Sequence, residues 1–278
     1  MTVGFRARRG WVLLGVLAGC ALAAQGQVRL GPQPITAPPI PVPPPPAVRL
    51  ADPPAAQIPE IIRKFAANEA VSRQLLKHSY TYTESIDVYL VDDDGNPIGQ
   101  SFQQTDDINF TPDGQREITC TWCPQPTLRD VRVTEEDLDD FFNMDMYAVA
   151  IQDLNDYDVK YLDHEKLDQL TAYRFSVRPK RILKGHRDFA GTIWVDDQYF
   201  QIVKSVGKAV PDEFDKHGQP ENVFLPFTTY RQLIDKQHWF PVYTSTDSML
   251  GDSHVKMVIQ FKNYKRFGST VRIIPVGP

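Results

Sequence analysis

From residue 79 onward, apolar side chains fall at every second position over long runs, a period that points to antiparallel sheet. Tyr80, Tyr82, Ile86, Val88 and Leu90 lead into Asp94-Gly95, a hairpin turn signal. The alternation resumes over 98–110, turns at Pro112-Asp113-Gly114, and continues as a third strand over 118–122. Further strands are expected over 157–162, 172–179, 191–195, 200–207, 223–234, 239–249 and 254–267. Asp-Gln, Asp-Lys and Gly-Asp pairs mark the turns between them. The early strands are long, against a usual length nearer 5 or 6 residues. No period of 20 to 50 residues repeats, which excludes propellers and solenoids.

Ahead of the strands, residues 59–78 read as a helix: Ile58, Ile61, Ile62, Phe65, Ser72, Leu75 and Leu76 recur at helical spacing. Asn68 and Glu69 interrupt that stripe. A second helix is expected from Thr134-Glu135-Glu136-Asp137, an N-cap followed by acidic residues, to about Met144. About ten antiparallel strands must curl or split into two sheets. The predicted fold is mainly β (α+β): a strongly curved antiparallel half-barrel whose concave face is covered by helices, with a cavity between them.

The N-terminus carries different information. Arg6, Arg8 and Arg9 precede a short apolar run over 11–18, the pattern of a secretory signal peptide and too short to span a bilayer. Two endings stay open. Leu17-Ala18-Gly19-Cys20 has the form of a lipobox, with Cys20 the candidate lipidated residue; Ala21-Leu22-Ala23 has the form of an ordinary cleavage site. Residues 1–27 are therefore assigned to the leader, 28–56 to a Pro-rich disordered tether and 57–278 to the folded domain. The tether holds 11 prolines between Pro32 and Pro54, with few large apolar residues. Without the three leader arginines the balance is 27 basic against 35 acidic residues, so charge gives no reason to expect nucleic acid.

Chemistry-bearing motifs are few. Cys120-Thr121-Trp122-Cys123 has redox-motif spacing, but Pro124 and Pro126 preclude the helix that would activate a thiolate, so a local disulfide is expected. His164-Glu165 does not begin an H-E-x-x-H motif, because position 168 is Asp168. Asp92-Asp93-Asp94-Gly95-Asn96 lacks the closing Glu of a calcium loop, since position 103 is Gln103. No catalytic residue, metal site or cofactor is assigned.

The hairpin Gly191-Thr192-Ile193-Trp194-Val195-Asp196-Asp197 with Phe200-Gln201-Ile202-Val203-Lys204 resembles one in outer-membrane lipoprotein-sorting proteins, the LolA-like superfamily. Lys236-Gln237-His238-Trp239-Phe240-Pro241 and Tyr264-Lys265-Arg266-Phe267 resemble its later strand pair and closing strand. The resemblance implies an exported, non-enzymatic carrier or binding protein for acyl chains, lipoproteins or other hydrophobic ligands. Its location would be the periplasm or the periplasmic face of the outer membrane. Trp194, Phe224, Phe227, Tyr230, Trp239, Phe240 and Phe261 are the candidate cavity residues. An envelope protein partner and membrane contact through an N-terminal lipid also fit. The alternative is a periplasmic interaction or sensor protein with a packed, ligand-free interior.

Overall fold

A computed structural model of the chain describes residues 48–131, 149–183, 188–214, 216–217, 220–222, 225–236 and 238–267. The expected leader with Cys20, the expected helix over 134–144 and Phe224 lie outside the described residues. All described residues belong to the unit Pro46–Pro278.

Helix α1 spans Ile58–Ser79. Pro59 and Glu60 stand in its first turn and Lys77 and His78 in its last, an order that suits the backbone donors at the start and the helix dipole. Its buried residues are Ile61, Phe65, Ala66, Glu69, Ser72 and Leu76, one stripe at helical spacing. Among the described residues no helix is long and apolar enough to cross a membrane.

The strands follow the alternation closely: β1 Tyr80–Val91, β2 Pro97–Phe110, β3 Arg116–Trp122, β4 Tyr157–Leu167, β5 Leu170–Pro179, β6 Asp188–Asp196 and β7 Ile202–Val210. A short pair, β8 Glu213–Phe214 and β9 Pro220–Asn222, precedes β10 Phe227–Ile234, β11 His238–Leu250 and β12 Ser253–Arg266. Ten of these form one antiparallel sheet in the order β3-β2-β1-β12-β11-β10-β7-β6-β5-β4. The chain thus walks out to one edge at β3, reappears at the opposite edge as β4, and meanders inward until β12 pairs with β1. Asp92 anchors the β1–β2 turn by accepting from the backbone N–H groups of Asp94 and Asn96 at 3.0 and 2.8 Å. Those bonds draw its carboxyl below the usual range. Asp235 and Lys236 both take positive φ in the β10–β11 turn.

One face of the sheet packs on α1. The N-terminal half of the helix meets a cluster containing Phe175, Val177, Ile193, Val195, Ile202 and Phe227; its C-terminal half, through Leu76, meets Tyr80, Tyr82, Ile86, Phe240 and Phe261. Between these contacts along the helix, Asn68 donates to the carbonyls of Tyr199 and Phe200, each at 2.9 Å, and Glu69 pairs with Arg231 of β10.

Gly191 of β6 lies opposite Gly207 of β7, and the ring of Phe189 crosses both. A Cβ at Gly191 would fall 2.2 Å from the Val206 carbonyl oxygen and 2.6 Å from Gly207 Cα. The obstructing atoms are backbone, so relief requires the strands to part. Gly191→Ala is expected to cost about 1–3 kcal/mol, as overpacking in a dense core does. Denaturant unfolding of this variant and of Gly207→Ala checks it, and wild-type midpoints would contradict the account.

The last part of the proline-rich segment is also placed. Leu50 N–H donates to His164 O at 2.8 Å, and Lys166 N–H donates to Val48 O at 2.9 Å, so residues 48–50 pair with the outer edge of β4. Arg49 reaches Asp163 at 3.1 Å, and Tyr161 donates to Asp52 at 2.6 Å.

Candidate functional site

Strand alternation sends neighbouring side chains to opposite faces. Ile193 and Val195 point into the cluster under α1, so Trp194 between them faces the other way. The same holds for Tyr230, exposed between buried Thr229 and Arg231. Register aligns a row across six strands of this second face: Asp163, Arg174, Trp194, Lys204, Tyr230 and Tyr243.

The row has a fixed electrostatic order. Arg174 donates from Nε and Nη2 to the two oxygens of Asp163 at 2.7 and 2.5 Å, and its Nη1 lies 3.8 Å from Glu165. The hydrogen bond to Asp163, followed by the charge of Glu165, raises the guanidinium above its ordinary value. Trp194 donates its indole N–H to Glu165 Oε1 at 2.5 Å, which gives a buried ring its required polar partner. The Lys204 ammonium lies 4.7 Å from the centroid of Trp194 and 5.2 Å from that of Tyr230. Both distances are within reach of cation–π attraction.

Beside this row opens a cleft of about 480 Å³. Leu167, Leu170, Val203, Tyr230, Trp239, Val242 and Tyr243 provide most of its wall, and Asp168, Gln169, Arg231 and Gln232 its polar part. Trp194, Ala172 and Val203 form the buried cluster behind it, with Leu167, Leu170 and Trp239 packed on them. Leu167 and Leu170 face each other across the β4–β5 turn, where Asp168 takes a positive φ.

The aromatic residues expected to line one cavity are therefore divided. Tyr230 and Trp239 line the cleft and Trp194 lies buried behind it, on the face that α1 leaves open. Phe227 lies in the first cluster under α1, and Phe240 and Phe261 lie in the second. Trp239 and Phe240, adjacent in sequence, part company because a strand has two faces. Lys204, Leu167 and Leu170 were not anticipated as site residues; two leucines flanking a turn were the available signal for the last two. Cys120 and Cys123 are joined by a disulfide. They stand with Asp106 in a group of metal-ligating types, but sulfurs tied in a disulfide are not thiolate ligands.

No family model matches the chain, and no curated protein matches it. Several solved structures are similar to it, three of which follow. A DUF1329 family protein from Desulfovibrio piger is 13% identical with a TM-score of 0.38, over 73% of this chain and 92% of that one. A putative outer membrane lipoprotein-sorting protein domain from Vibrio parahaemolyticus is 10% identical with a TM-score of 0.35, over 71% and 90%. A LolA superfamily protein from Nitrosomonas europaea is 12% identical with a TM-score of 0.34, over 72% and 93%.

Proposed function

We propose that this protein is an exported, non-enzymatic binder or carrier of acyl chains or similar hydrophobic ligands in the bacterial envelope. The observation that carries the reading is the cleft walled by Leu167, Leu170, Val203, Tyr230, Trp239 and Val242. Its volume falls among small-molecule sites, which span about 300–1,000 Å³. Each ligand methylene that leaves water there would contribute about 0.8 kcal/mol, so affinity would grow with chain length. The basic leader, Cys20 and the proline-rich segment support export with an optional lipid anchor. The hairpin around Trp194 supports the same setting through its resemblance to lipoprotein-sorting proteins.

The test is mass spectrometry of protein recovered from a periplasmic extract without detergent, under native and denaturing conditions. A stoichiometric lipid or fatty acid, lost on denaturation, is expected. Trp239→Ala should weaken binding of a decyl-chain probe about tenfold or more, because it removes one wall of the cleft. A bare native mass, together with no uptake of decanol by the wild type, would overturn the reading. A second reading, an envelope interaction protein, is favoured by the dense helix-side core, where Phe65, Phe175 and Phe240 have no exposed surface.

A further inference from the structure

We infer that the ligand of the cleft is an anionic single-chain amphiphile, and that Lys204 is the residue that receives its headgroup. The inference rests on the hydrophobic-ligand reading above and adds the charge class of the ligand.

The cations near the cleft differ in what they already hold. Arg231 is committed to Glu69 on the helix-covered side, and Arg174 is committed to Asp163 and Glu165. Among the described residues, Lys204 has no carboxylate at ion-pair distance. Its ammonium rests instead between the rings of Trp194 and Tyr230. Tyr230 is shared: its ring carries Lys204 and also forms part of the cleft wall. A chain lying along that wall would bring its end to the ammonium. Aromatic contacts restrain the lysine stem and leave its three N–H donors without a protein acceptor among the described residues, which favours an arriving carboxylate or phosphate.

The carboxylate in the wall, Asp168, belongs to the other end. The row of Lys204 crosses β5 at Arg174, four residues or roughly 13 Å along the strand from Leu170. Asp168 lies beyond Leu170, in the turn. The cleft therefore has Tyr230 at one end, with Lys204 on that ring just outside the wall, Val203 and Trp239 between, and Leu167 and Leu170 with Asp168 at the β4–β5 turn. That polarity fits a headgroup at Lys204 and a tail running toward Leu167 and Leu170.

Calorimetric titration with decanoate, decyl phosphate and decanol at pH 8 tests this, using the protein recovered without detergent and freed of lipid. Wild type should bind at least one of the two anions about tenfold more tightly than decanol, the gain of a charge-assisted hydrogen bond. The tighter of the two separates a carboxylate ligand from a phosphate one. Lys204→Met keeps the apolar stem and should bring both anions to the affinity of decanol while leaving decanol unchanged; Lys204→Arg should restore the preference. Equal affinity for all three ligands in wild type, or a preference that survives Lys204→Met, overturns the inference and leaves the hydrophobic-ligand reading standing. Absence of binding by any of the three overturns both. An unfolding midpoint recorded for each variant separates loss of the site from loss of the fold.

Discussion

Arg231→Met should destabilise the domain by about 3–5 kcal/mol, the usual result of removing one partner from a fully buried ion pair. Arg231 donates from Nη1 and Nη2 to the two oxygens of Glu69 at 2.7 and 2.9 Å, and both side chains are 1% exposed. The substitution would strand a buried carboxylate beneath α1 without its counter-charge. Replacing both partners, Glu69→Leu with Arg231→Met, removes the stranded charge and should recover most of the loss. Denaturant unfolding of the two single variants and the double variant measures the coupling directly. If the double variant is no more stable than Arg231→Met alone, the pair is not what holds the middle of α1 to β10.

A second large effect concerns pH. Glu84 of β1 faces the helix-covered side, directly across from Asp106 of β2, and both are buried. Burial pushes the Glu84 carboxyl up to about 7; the neighbouring Arg116, an ion-pair partner, draws it partly back. Burial likewise raises Asp106. A carboxyl whose folded value exceeds its unfolded one favours the protonated native state. Its stabilising contribution is full below about 4.5 and is lost as pH rises through about 7. The loss expected from Glu84 is on the order of 3 kcal/mol. Unfolding free energies at pH 4.5 and 8 should show wild type weakening across this window. Glu84→Gln should flatten the profile and be the more stable of the two at pH 8. A flat wild-type profile would mean that Arg116 neutralises Glu84 completely.

Strand positions were readable because the pleat imposes a period of two wherever one face is covered. The expected strand 98–110 differs from β2 by one residue at its start, and 254–267 from β12 by one residue at each end. What periodicity could not supply was pairing between strands distant in sequence. It gives no sign that β1 lies beside β12, or that Trp194, Lys204 and Tyr230 stand in one row across β6, β7 and β10. Glu69 illustrates the limit best. In the sequence it breaks an apolar stripe; in the structure it belongs to that stripe, because Arg231, 162 residues later, supplies its counter-charge. The aromatic residues were recognisable as a set, but their division between two faces depends on register and on bulges such as that at Tyr230 and Arg231.

The pairing of residues 48–50 with β4 bears on how copies of this domain can meet. A sheet with two vacant edges can recruit further sheets at both ends and so grow without limit, as fibrous aggregates do. Here the β4 edge is covered around Glu165 by the protein's own chain, tied down by Arg49 to Asp163 and by Tyr161 to Asp52. The β3 edge has no such cover among the described residues. Edge-to-edge joining through that end alone is isologous and closes at two molecules. The proline-rich segment that leads into the domain thus also shortens the stretch of β4 edge open to another sheet.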